Sequence, residues 1–139
     1  MKKLISLSVL LLLVASFFTV NSFGANKKTK ISKSAKVEVY YFHFTRRCIT
    51  CQAVETESQK AIATLYPKEA KAGKIKFIGV NLDEKGSDVL ATKCKAEGQA
   101  LLVLSGNKRI DLTEQGFMYA KSNPEKLKAE LKNTIDPLL

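Results

Sequence analysis

The sequence predicts a single α/β domain in which a central mixed β-sheet is flanked by helices. Three observations predict it. Residues 37 to 45, VEVYYFHFT, are β-branched or aromatic at nearly every position, as in a strand buried on both faces and central in its sheet. From Cys51 the pattern changes to Val54, Ser58, Ala61, Ile62 and Leu65, the i, i+4, i+7, i+8, i+11 stripe of an amphipathic helix. The second half then supplies a strand, a short helix, an apolar hairpin and a closing helix. That order gives a βαβ unit followed by an antiparallel pair.

The chain has 139 residues. Its first residues carry Lys2 and Lys3, the apolar run LISLSVLLLLVASFFTV, and then the small residues Ser22 and Gly24. A basic start, an apolar stretch and a small-x-small site are the marks of a secretory signal, cleaved after Ser22 or Gly24. No cysteine follows the apolar run, so lipid attachment is not expected. Residues 1–24 are therefore read as a signal peptide, 25–36 as a lysine-rich linker, and 37–136 as the folded domain. About 115 residues after cleavage suit one domain that buries roughly two thirds of its unfolded surface.

The net charge is +10; without residues 1–24, 21 basic side chains stand against 13 acidic ones, a net charge of +8. Part of that excess is local, because NKKTKISKSAK holds Lys27, Lys28, Lys30, Lys33 and Lys36 and no acid, the composition of a solvated linker. The remaining lysines are scattered and no nucleic-acid motif accompanies them, so nucleic-acid binding is not expected. Once the signal is cleaved, no membrane span is expected either.

Each later element has its own signal. Pro67 ends the first helix. KIKFIGVNLD, residues 74 to 83, is a second strand, and GSDVLATKCKAE a short helix with Val89, Leu90 and Cys94 on one face. ALLVL, residues 100 to 104, is an apolar strand joined by the turn SGNK to a polar strand 108 to 112. Ser122, Pro124 and Glu125 look like a capping box, followed by Leu127, Leu131 and Ile135 at helical spacing until Pro137.

Cys48 and Cys51 stand where the first strand hands over to the first helix. Spacing leaves three readings open: a working redox pair, a structural disulfide, or half of a metal site. The position favours redox chemistry, because unpaired N–H groups at a helix N-terminus stabilise a thiolate. Cys48 would attack, and Cys51, one turn inside the helix, would resolve the mixed disulfide. Arg46 and Arg47 precede Cys48 and would lower its pKa if either pointed at the sulfur. As two solvated loop arginines they would do nothing.

From residue 36 to 136 the chain resembles the thioredoxin-like superfamily: a strand, CxxC at the helix start, FIGVNLDE, then LLVL and a hairpin. More narrowly, YFHFTRRCITCQAVE, GQALLVL and NPEKLKAELKNTIDPLL are similar to small secreted bacterial proteins of the nitrophin-domain group, a resemblance that carries no mechanism. The superfamily resemblance implies thiol–disulfide exchange with protein thiols and disulfides, without a cofactor. Four departures qualify it. Thioredoxins have a tryptophan before the first cysteine, Gly-Pro between the two, a buried aspartate in the preceding strand and a cis-proline before the apolar strand. Here those places hold Arg47, Ile49-Thr50, Phe42 and Gln99. A cis bond before a non-proline residue costs roughly 2.5 to 4 kcal/mol, so the Gly98–Gln99 bond is expected to be trans. Gln99 would then shape the substrate edge, and Glu55 is a distant substitute for the missing carboxylate.

Three further sites invite comparison with plainer readings. Cys94 makes the cysteine count odd and is either a third redox thiol or a small buried apolar side chain. His43, the single histidine, is a core imidazole, a proton acceptor or a ligand. Cys48, Cys51, Cys94 and His43 would together be a Cys₃His set suited to Zn²⁺, but the spacing matches zinc sites poorly and no metal is expected. Phe117 and Tyr119 are core packing or, with an adaptable Met118, a substrate-contacting lip beside the active site. The resulting expectation is a secreted or periplasmic thiol–disulfide oxidoreductase. Its alternative is a thioredoxin-like binding module with a structural disulfide or a metal at the CxxC.

Overall fold

The computed structural model describes residues 36–139. The signal peptide expected at 1–24 and all but the last residue of the expected linker lie outside the described residues. Strand β1 (Val37–His43) is followed by helix α1 (Ile49–Leu65), a short α2 (Pro67–Lys71), β2 (Ile75–Asn81) and α3 (Ser87–Cys94). Strands β3 (Ala100–Ser105) and β4 (Lys108–Asp111), helices α4 (Thr113–Tyr119) and α5 (Pro124–Ile135), and a 3₁₀ turn (Asp136–Leu138) complete it.

The four strands form one mixed sheet in the order β2-β1-β3-β4. β1 runs parallel to β2, with Tyr41 beside Gly79 and His43 beside Asn81. It runs antiparallel to β3, with Phe42 beside Ala100, and β3 turns back into β4. β1 is thus internal, and its apolar run meets a packed layer on each side.

Alternation along the strands divides the core in two. Val37, Val39, Tyr41, Leu101 and Val103 face α1, α4 and α5, where Val54, Ile62, Leu127, Leu131 and Ile135 complete the larger cluster. Tyr40, Phe42, Val80, Ala100 and Leu102 face α3 through Ala91 and Cys94. Val89, expected on that inward face, is 70% exposed, because the eight-residue α3 turns Leu90, Ala91 and Cys94 to the sheet instead.

Other element boundaries differ from the sequence expectation for local reasons. α1 does end before Pro67, but the proline then opens α2, where its fixed φ and missing N–H cost nothing. The segment holding Phe117 and Tyr119 is helix α4, not a connecting lip. Phe117 and Tyr119 pack against the larger core, while Met118 is exposed. α5 is capped by Asn123, whose side chain accepts from Lys126 N at 3.1 Å. Ser122 instead donates to the Met118 carbonyl, so the anticipated capping box does not form. Among the described residues, no helix is long and apolar enough to cross a membrane.

Candidate active site at the start of the first helix

Cys48 is the N-cap of α1, and its sulfur accepts from Cys51 N at 3.4 Å. One helical turn brings the two sulfurs to 2.8 Å, against about 2.05 Å for a disulfide bond; both cysteines are free thiols in this structure. Their surroundings differ sharply. Cys48 is exposed and Cys51 is 4% exposed.

The two sulfurs share a hydrogen bond, and backbone N–H groups of the first turn point at Cys48, so its pKa lies below its ordinary value. Burial, then that same hydrogen bond, pushes Cys51 up. The pair therefore divides into an outward thiolate former and an inward thiol that keeps its proton.

Neither arginine supplies this asymmetry. Arg46 is exposed in the loop, and Arg47 Nη1 lies 2.7 Å from Glu55 Oε2. That contact lacks hydrogen-bond alignment, so it is a pairing of charges. The other Glu55 oxygen is 3.8 Å from His43 Nε2. It also lies over Gly79, where a Cβ would come within 2.7 Å of it. A residue with no side chain on β2 thus makes room for the carboxylate that holds Arg47.

His43 stands on β1 with its ring stacked on Tyr41. Its Nδ1 is 3.0 Å from the Phe44 carbonyl, an oxygen that can only accept, so Nδ1 carries the proton and Nε2 turns to Glu55. The residue beneath the helix start is Tyr41, which donates to the Cys51 carbonyl at 2.9 Å. Phe42, the expected counterpart of the thioredoxin aspartate, points to the opposite face among Val80, Ala100 and Leu102. Burial, then the nearby Cys51 sulfur, raises the Tyr41 pKa.

The loop between β1 and α1 is tied to the end of β2. Thr45 N donates to Asp83 Oδ2 at 2.8 Å, and Asn81 Nδ2 donates to Thr45 Oγ1 at 2.9 Å. Asp83 N in turn donates to Asn81 Oδ1 at 3.1 Å. These bonds fix the approach to Cys48, with Phe44 and Ile49 exposed on either side of it.

Gln99 sits one residue beyond the last β1–β3 pair, so the register continued by one step faces it toward His43. Its Oε1 is buried without a partner among the described residues. The described residues contain no cis peptide bond, and Gly98–Gln99 is trans. Cys94 is not brought to the pair: it packs under α3 on the sheet face opposite α1, and burial raises its pKa. The Cys₃His set is likewise not assembled. Among the described residues, no three His, Cys, Asp or Glu side chains are grouped as a metal would need.

Glu55, Gly79, Asn81 and Asp83 were not expected at the site, apart from Glu55 as a distant proton acceptor. The signal present in the sequence was NLDE at the end of a predicted strand. Side chains at the end of a parallel neighbour lie beside the loop that follows β1.

A parallel β1–β2 pair joined through a helix, an antiparallel β3–β4 hairpin and a dithiol at the first helix N-terminus define a thioredoxin-like α/β domain with a CxxC pair. No protein-family model matches the chain, and no curated protein matches it. Similar solved structures include two thioredoxins. Thioredoxin O2 from Arabidopsis thaliana in the oxidized state has 16% identity and a TM-score of 0.49, covering 75% of this chain and 76% of that one. The germline-specific thioredoxin Deadhead from Drosophila melanogaster has 18% identity and a TM-score of 0.49, covering 81% and 90%. The fold assignment rests on the chain's own strand order and connections.

Proposed function

We propose that this protein is a thiol–disulfide oxidoreductase that works outside the cytoplasm, with Cys48 as the attacking thiolate and Cys51 as the resolving thiol. The observation that carries the reading is the contrast at 2.8 Å between an exposed, pKa-lowered sulfur and a buried, pKa-raised one. The Cys48 thiolate attacks one sulfur of a substrate disulfide, forms a mixed disulfide and releases the other sulfur as a thiolate, which takes a proton from solvent. Cys51 then loses its proton and attacks Cys48 Sγ. The Cys48–Cys51 disulfide forms, the second substrate thiol leaves, and two electrons have passed from protein to substrate. The reverse sequence oxidises a substrate dithiol.

Tyr41 occupies the place beneath Cys51, and its hydroxyl is committed to a backbone carbonyl. It therefore supplies no base for the second step. Location outside the cytoplasm is supported by the basic and apolar start of the sequence, and a CxxC pair is compatible with oxidising surroundings. The resemblance to the nitrophin-domain group rests on residues around the cysteines and the last helix, and it adds no mechanism.

One observation favours a second reading, a binding module on the same scaffold: just before β3, Gln99 holds a buried amide oxygen with no partner among the described residues. Equilibration in graded glutathione buffers, followed by alkylation and intact mass, separates the two. A two-thiol transition within roughly −300 to −120 mV is the exchanger's result. A disulfide that persists below that window, or equal insulin reduction by wild type and Cys48→Ser, would overturn the proposal.

A further inference from the structure

The two faces of the sheet are covered unequally. Among the described residues, α1, α4 and α5 pack on one, whereas α3 supplies the helical cover of the other. Beside α3 this thinly covered face forms a groove of about 390 Å³, within the range of small-molecule sites, roughly 300 to 1,000 Å³. Tyr40, Leu90, Cys94 and Leu104 give it an apolar floor, all of them buried or half-buried. Lys36, Lys93, Lys95, Lys108 and Arg109 stand exposed around it.

The cations are not equally engaged. Arg109 is committed to the end of α3, donating to the Cys94 and Lys95 carbonyls and pairing with Asp111. Lys36 donates to the Leu139 carbonyl. Lys93, Lys95 and Lys108 form no ion pair with any described residue. Glu38, the one acid among the described lining residues, accepts from the Tyr40 hydroxyl at 3.1 Å. Three unpaired lysines around one concavity leave a positive field over an apolar floor. In sequence, residues 25–36 add Lys27, Lys28, Lys30, Lys33 and Lys36 and no acid.

We propose that this groove binds a small amphipathic anion, an acyl or aryl body laid on Tyr40, Leu90 and Leu104 with its carboxylate or phosphate among Lys93, Lys95 and Lys108. Head and body both contribute, so neither a simple anion nor a neutral chain is a sufficient ligand. The site lies across the sheet from Cys48 and does not depend on the redox reading.

The test is isothermal calorimetry of the purified chain with decanoate below its micellar concentration, with acetate and decanol as the separated head and body. Saturable binding at one site per chain is expected for decanoate alone. It should weaken about tenfold in a Lys93→Ala/Lys108→Ala variant, weaken with salt raised from about 50 to about 300 mM, and survive Cys48→Ser. Absence of saturable decanoate binding overturns the proposal, as does equal affinity for acetate, or affinity untouched by the double substitution. The lysines are exposed, so circular dichroism should show the double variant folded as wild type. A Leu104→Asp variant gives an independent check, since it should also lose binding through the floor.

Discussion

Arg47 Nη1 lies 2.7 Å from Glu55 Oε2, so the guanidinium next to the attacking cysteine is paired with a carboxylate from the second turn of the same helix. Its charge is neutralised in place and does not act on the Cys48 sulfur. The thiolate is favoured instead by the Cys51 thiol and by backbone N–H groups at the helix start.

Glu55→Gln should therefore make Cys48 more reactive. Arg47 keeps its charge and loses its partner, and a unit charge within roughly 8 Å changes a partly screened thiol by a factor of about two to three in thiolate fraction. Iodoacetamide rates at pH 7 read this directly. Arg47→Ala should change the rate in the other direction, because Glu55 is left unpaired.

Gly79→Ala should reproduce the Glu55→Gln effect from a different strand. The added Cβ meets Glu55 Oε1 at 2.7 Å, and the carboxylate end of a flexible side chain can move away at little cost in stability. In a Glu55→Gln background the second substitution should add little, so the two effects on the Cys48 rate should be non-additive in a double-mutant cycle.

The two half-reactions should have separate pH dependences. Cys48 has a lowered pKa, so its attack should approach its plateau below the ordinary thiol value of about 8.5. Burial, the largest cause of the raised Cys51 pKa, persists in the mixed disulfide, and Tyr41 rather than a carboxylate lies beneath it. Release of a preformed mixed disulfide at Cys48 should accordingly keep rising with pH, about tenfold per unit, until pH passes the raised value. Stopped-flow release of a chromogenic thiol from the mixed disulfide measures it; a plateau below pH 7 would show that another group takes the proton.

Ser58 is fully buried in α1, and its hydroxyl has no partner among the described residues. Ser58→Ala removes a polar group desolvated without compensation and adds helix propensity, so it should stabilise the domain by about 1 kcal/mol. The urea midpoint should rise with an unchanged slope. A fall would mean that the hydroxyl is bonded in solution.

How far the sequence reaches depends on the range of the interaction. The strand, the helix stripe and the CxxC at their junction are local patterns, and all are found where expected. The face of β1 that carries each residue was not legible, because a strand apolar on both sides has no alternation to phase it. Tyr41 rather than Phe42 consequently lies beneath Cys51. The Arg47–Glu55 pair was hidden because it depends on the absence of a side chain at Gly79, on another strand. α4 was missed because its start signal, Asp111 accepting from Thr113 N, lies at the end of a predicted hairpin. Its Gly116 reads as a breaker, yet it permits close contact with Leu101 and Val54.

The most direct test of the central claim is mixed-disulfide trapping with a Cys51→Ser protein and a disulfide substrate such as oxidised glutathione, located by peptide mass. One adduct per chain is expected, on Cys48, stable because the resolving thiol is gone, while wild type passes through the same adduct to the Cys48–Cys51 disulfide. An adduct mainly on Cys94, or no adduct on Cys48 while wild type still exchanges disulfides, would contradict it.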